Sequence, residues 1–96
     1  MAVLVVGEVR VQPDRLADFK AYLAELLPDT AYDGCKGVEI YEDEDKEGSI
    51  LFVEHWESRG HQEKYAAWRT DTGVMAQLGA MLECNSSIRC FHRTGI

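Results

Sequence analysis

The sequence predicts a ferredoxin-like α+β domain with the order strand, helix, strand, strand, helix, strand, and an antiparallel sheet covered by helices on one side. Three observations lead there. Hydrophobic periodicity alternates between two and about 3.6 residues in that order along the chain. Turn-forming or helix-capping residues stand at the changes of period. A length of 96 residues allows one domain with a modest core. A split βαβ unit, repeated, is the arrangement this order describes.

The elements follow in turn. Across Val3–Val11, Val3, Val5, Val9 and Val11 fall on one face of a strand, and Leu4, Val6, Glu8 and Arg10 fall on the other. Pro13 breaks the strand pattern and Asp14 is placed to cap a helix. Leu16, Phe19, Leu23 and Leu26 then form one apolar stripe, with Lys20 and Glu25 off it. Pro28 marks the end of the regular helix. Gly34 and Gly37 bracket a return to alternation, which gives a second strand at Val38–Tyr41. An acidic stretch, Glu42–Glu47, ends at Gly48. Ile50–Trp56, rich in β-branched and aromatic residues, is the strongest strand. Ser58 caps a second helix with His61, Tyr65 and Trp68 on one face. Asp71, Thr72 and Gly73 interrupt it, and Val74, Leu78, Met81 and Leu82 resume helical spacing. Ser86–Arg93 is the last strand, with Ile88 and Cys90 facing one way and Arg89 and Phe91 the other. With no linker, repeat or low-complexity tract in view, residues 1–96 read as a single domain.

Composition narrows the function. Seventeen acidic against ten basic residues leave a formal charge of −7, which argues against a nucleic-acid partner. The longest apolar run, Ala2–Val6, is too short to span a bilayer, and without a basic leader it does not read as a signal peptide. No membrane partner is expected. Cys35, Cys84 and Cys90 are an odd set without short spacing, so we read them as reduced thiols of a cytoplasmic protein. The histidines lack close metal-ligand spacing and Cys35 lacks an evident base, so neither metal nor thiol chemistry is expected.

Both faces of the sheet carry apolar residues. Leu4 and Val6 lie opposite the valines of the first strand, and Leu51 and Val53 lie opposite Ile50, Phe52 and Trp56 on the third. Left wet, the helix-free face would expose an apolar patch of several hundred Å². A homodimer with two sheets face to face resolves this. The alternative is a monomer whose patches are covered by its own C-terminal residues.

Two motifs stand out. Asp43, Asp45, Glu47, Gly48, Ile50 and Glu54 fit positions of a calcium-binding helix–loop–helix. Their flanks are strand-like, however, so they read as an acidic hairpin loop. The second motif runs from Phe52 to Gly73. A strand ending Glu54-His55-Trp56, the cap Ser58, and a helix carrying His61, Tyr65, Trp68 and Arg69 resemble the antibiotic biosynthesis monooxygenase family. The resemblance implies a dimeric α+β barrel that adds oxygen to phenolic, quinol or polycyclic aromatic substrates without metal or flavin. Other family branches cleave haem or modify small signalling molecules. Where many relatives carry a His nine residues after the Trp, this chain has Tyr65. The Asn and the later His of the haem-degrading branch are replaced here by Gly7-Glu8 and Gln77-Leu78, which disfavours haem degradation.

Cofactor-free oxygenation needs a base, an apolar slot and a donor to the developing oxyanion. His61, Tyr65 and Trp68, spaced by four and three, are the expected catalytic set: His61 as base, Tyr65 as hydrogen-bond donor and Trp68 as stacking platform. Glu54, Trp56 and Arg69 are the expected substrate-binding residues. Glu54 shares a strand face with Ile50, Phe52 and Trp56. It must therefore find a buried partner, in an ion pair with Arg10, Arg69 or Arg89, or serve as a base itself. The reading is a cofactor-independent monooxygenase acting on a small aromatic or quinol. Its rivals are a non-catalytic binder on the same scaffold and an interaction domain whose pocket is filled by its own Trp and Tyr.

Overall fold

The computed structural model describes residues 2–26, 32–84 and 87–96. Strand β1 (Val3–Arg10) leads through a 3-10 turn at Pro13–Arg15 into helix α1 (Leu16–Leu26). Strands β2 (Cys35–Glu42) and β3 (Ser49–Trp56) form a hairpin. Helices α2 (Arg59–Asp71) and α3 (Val74–Gly79) follow, and β4 (Ser87–Phe91) closes the order. The sheet is antiparallel throughout, in the order β2-β3-β1-β4. This is the expected ferredoxin-like topology.

Several boundaries differ from expectation. Val11 leaves β1 and makes a single bridge to Leu82. Asp14 caps nothing, because Pro13 opens a 3-10 turn after Gln12 and the α-helix starts at Leu16. Strand β2 is longer than read, with an irregularity between Cys35 and Gly37. Helix α3 stops at Gly79, so Met81 and Leu82 pack from the following turn. Pro28 and Ser86 lie outside the described residues.

The register sets the faces. Val5, Gly7 and Val9 of β1 stand opposite Glu54, Phe52 and Ile50 of β3, and Val38 and Ile40 of β2 join that face from the other side. The helices cover this face. Val9, Val11, Leu16, Phe19, Leu23, Ile50 and Met81 form one buried cluster, and Val5, Trp56 and Tyr65 form a second. The opposite face carries Leu4, Val6, Leu51 and Val53, half-buried, with the exposed Phe91 and Tyr41. No described helix is long and apolar enough to cross a membrane.

The acidic stretch is a hairpin loop between β2 and β3, with no helices flanking it. Asp43 accepts a hydrogen bond from the Asp45 amide at 2.8 Å, and Glu42 accepts from the Gly48 amide at 3.0 Å. Lys20 Nζ meets Glu42 at 2.8 Å and ties the loop to α1, which holds the Glu42 carboxyl below its usual range.

Ser58 caps α2 as expected, its Oγ accepting from the His61 amide at 3.2 Å. Ser58→Ala is expected to lower stability by about 1 kcal/mol. In a domain of this size that is a drop of about 4–8 °C in melting temperature, measurable by calorimetry.

Candidate active site

Between the sheet and the three helices lies a cavity of about 240 Å³, somewhat below the usual ligand-pocket range of roughly 300 to 1,000 Å³. Val5, Val38, Ile40 and Phe52 form its floor, Phe19, Leu23 and Leu26 of α1 one wall, and Val74 and Leu78 of α3 another. The exposed Met75 and Ile88 also line it. Its polar lining comes from four side chains: Glu54, Gln62, Tyr65 and Arg69.

Glu54 sits mid-sheet between Val5 and Val38. Burial there pushes its carboxyl above the ordinary carboxylate range, and a hydrogen bond from Trp56 opposes the shift. That donor is the Trp56 indole Nε1, 2.8 Å from Glu54 Oε1. The expected ion pair is therefore replaced by an indole contact two residues along the same strand face. The three arginines are engaged elsewhere: Arg10 with Glu83 at 3.7 Å, Arg89 over the Phe91 ring, and Arg69 with Tyr65.

Arg69 is 4% exposed. Its Nε donates to the Tyr65 hydroxyl at 2.8 Å and an Nη donates to the Leu26 carbonyl at 3.3 Å. Its guanidinium also lies 4.5 Å from the Trp68 ring centroid and 5.2 Å from that of Tyr65, within cation–π range. Burial raises the Tyr65 pKa, against the hydrogen bond and charge of Arg69, so the phenol keeps its proton at neutral pH. With its oxygen accepting from Arg69, the Tyr65 O–H is left to donate.

Glu54 gives a pH dependence of known sign. Its folded pKa is raised, so over the window above the ordinary value the folded state holds the proton more tightly than the unfolded one. Stability contributed by Glu54 is full below the unfolded pKa and lost as pH rises through the folded pKa. Glu54→Gln removes that loss. Denaturant unfolding at stepped pH is expected to show Glu54→Gln gaining on the native protein from about pH 4.5 upward; a constant difference would refute it.

The other three residues proposed for the site stand outside the cavity wall. His61 turns to the start of its own helix, with Nδ1 2.6 Å from Ser58 Oγ and Nε2 4.0 Å from Asp33. Its ring packs against Gly34, where φ is +83° and a Cβ would run into the imidazole. Trp68 stacks on Tyr32 with centroids 5.2 Å apart and planes 16° from parallel. Trp56 is wholly buried, 5.1 Å from Tyr65. The face of α2 that looks into the cavity therefore carries Gln62, Tyr65, Ala66 and Arg69. It is turned about 100°, one residue, from the stripe at 61, 65 and 68. Gln62 was missed, because a polar residue beside consecutive apolar ones gives no periodic signal; its spacing of three and seven from Tyr65 and Arg69 only places it on their side of the helix.

Among the described residues, no three His, Cys, Asp or Glu side chains are grouped to hold a metal ion. The three cysteines are free, with Cys84 exposed.

Known proteins share this architecture. A conserved protein from Methanosarcina mazei Go1 superimposes with a TM-score of 0.90 at 18% identity, covering 98% of this chain and 94% of that one. Rv0793 from Mycobacterium tuberculosis gives 0.85 at 23% identity, covering 97% and 95%. A variant of SnoaB, a cofactor-independent oxygenase from Streptomyces nogalater, gives 0.82 at 17% identity, covering 97% and 93%. At these identities the likeness is one of fold. In sequence, the protein sll1783 of Synechocystis sp. is 34% identical over 58 residues, 59% of this chain, and the match spans 40% of that longer relative. The profile of the family described as antibiotic biosynthesis monooxygenase matches residues 2–74, most of the chain and every residue from Glu54 to Arg69. By that match, and with a fold and a cavity in keeping with it, this chain belongs to the antibiotic biosynthesis monooxygenase family.

Proposed function

We propose that this protein is a cofactor-independent monooxygenase of a small aromatic, phenolic or quinol substrate, acting as a homodimer. The observation that carries the reading is the cavity itself: a small apolar slot on which one carboxyl, one phenol and one guanidinium converge. Apolar walls hold a flat ring and exclude water. An electron-rich ring that has lost a proton can pass an electron to O₂. What the protein must supply is a place for the proton and a donor for the oxygen left behind. Tyr65 and Glu54 are the residues we assign to contact the substrate, and Arg69 positions Tyr65. Trp68 and Trp56 hold Tyr65, Arg69 and Glu54 in place, and His61 anchors the start of α2.

The dimer is supported by the outer sheet face, where Leu4, Val6, Leu51, Val53 and Phe91 form an apolar surface without a helix above it. A second copy, sheet against sheet, covers it with a surface of its own kind.

Oxygen consumption with a panel of quinols and naphthols, read by electrode and product mass, tests the activity. Substrate-dependent uptake that falls by about 10²-fold or more in Arg69→Met, at unchanged fold, is the expected result. Tight binding of the same compounds with no uptake would instead favour a non-catalytic binder.

A further inference from the structure

We infer that Glu54 is the proton acceptor of this site, and that the oxygen of the deprotonated substrate is received by the Tyr65 hydroxyl, polarised through Arg69. The inference rests on the proposed substrate class but not on the use of O₂.

A carboxyl at the centre of an apolar sheet face, with valines on both neighbouring strands, is costly to keep unless it is paired. No described cation lies within ion-pair distance of it, and its one described partner is the Trp56 indole on Oε1. Oε2 has no described hydrogen-bond partner, and the residue lines the cavity. The titratable and charged side chains facing it there are Tyr65 and Arg69, both from α2; its strand neighbours Val5 and Val38 carry none. Cys35 and Cys90 pack beside the adjoining Trp56–Tyr65 cluster. A raised carboxyl pKa suits a base working near neutrality.

The step balances within the site. In the keto tautomer of a phenolic substrate, a C–H bond next to the carbonyl breaks and its proton forms an O–H bond on Glu54 Oε2. The electron pair stays on the substrate as an enolate, whose oxygen accepts the Tyr65 O–H. Tyr65 can give that bond fully because Arg69 Nε already donates to its oxygen at 2.8 Å. Arg69 is thus a positioning residue, acting through Tyr65.

The test is anaerobic hydrogen–deuterium exchange at C1 of 2-tetralone, a bicyclic carbon acid, followed by proton NMR across pH with the 96-residue chain. The native protein is expected to accelerate exchange over buffer, with an acid limb set by a group above the ordinary carboxylate range. Glu54→Gln, with unchanged circular dichroism, is expected to lose that limb and at least about 10²-fold in rate. Glu54→Asp should keep the limb at reduced rate. Tyr65→Phe should slow exchange without moving the limb, and Arg69→Met should do the same while raising the Tyr65 phenol pKa in ultraviolet titration. No acceleration by the native protein, or a limb that survives in Glu54→Gln, overturns the assignment. Exchange without oxygen uptake under air would overturn the oxygenase reading and leave Glu54 standing. Uptake that persists in Glu54→Gln would do the reverse.

Discussion

Trp56→Ala is expected to lower the unfolding free energy by about 4–8 kcal/mol, the largest loss anticipated for any single substitution in this chain. Trp56 is wholly shielded from solvent and packs with Val5 and Tyr65 under α2. Truncating a buried Trp leaves a void that neighbours fill only in part, worth about 3–5 kcal/mol. Here the indole N–H is also the described partner of the Glu54 carboxyl. Leaving that group unpaired adds about 1–3 kcal/mol. A domain of this length holds roughly 5–14 kcal/mol in total, so the variant should melt at least about 15 °C lower or fail to fold at 37 °C. Trp56→Phe separates the two contributions, because it keeps most of the ring and removes the donor. Its loss should be smaller and should grow with pH, since Glu54 then ionises with no donor to hold its charge. A Trp56→Phe variant whose deficit does not change with pH would show that the indole bond carries little of the energy.

Val53→Glu is expected to convert the proposed homodimer to monomers. Val53 stands opposite Val6 on the helix-free face, with Leu4, Leu51 and Phe91 around them. If two such faces meet, a carboxylate at this position loses water and gains no partner, a penalty of about 2–3 kcal/mol or more. In an interface with two-fold symmetry every substitution enters twice. About 4–6 kcal/mol of lost association corresponds to roughly a 10³–10⁴-fold rise in the dimer dissociation constant. Sedimentation velocity reads this directly. A native chain that sediments at 10.8 kDa would remove the dimer from the proposal. The cavity lies on the other side of the sheet, so a monomeric Val53→Glu variant that stays folded should still bind ligand there.

Much of the architecture was legible because its cause is local. Period-two runs at Val3–Arg10 and Ile50–Trp56, the Ser58 cap and the break at Gly73 each follow from residue chemistry within a few positions. The two-faced sheet could be read in the same way, since alternation assigns every strand residue to a side before any partner is known. The start of α1 was less legible: Pro13 marks the end of the strand, but it does not show that a 3-10 turn, closed by the Arg15 amide donating to the Gln12 carbonyl at 2.9 Å, comes before the α-helix.

The candidate site divides along the same line. By itself the sequence determined the scaffold and the family, and it placed Tyr65, Arg69 and Glu54 in one short segment. It did not determine the turn of α2 about its axis. Tyr65, Ala66, Ala67 and Trp68 are four consecutive apolar residues, and at about 100° apiece they cover the whole circumference, so no periodicity selects a face. Tertiary packing made the choice. Tyr32 and the Arg69 guanidinium occupy Trp68, and Gly34 and Ser58 hold His61, which leaves Gln62, Tyr65 and Arg69 toward the cavity. The partner of Glu54 was decided in the same way, because several arginines and one indole were all compatible with its strand face. Only the three-dimensional distances selected the indole at 2.8 Å.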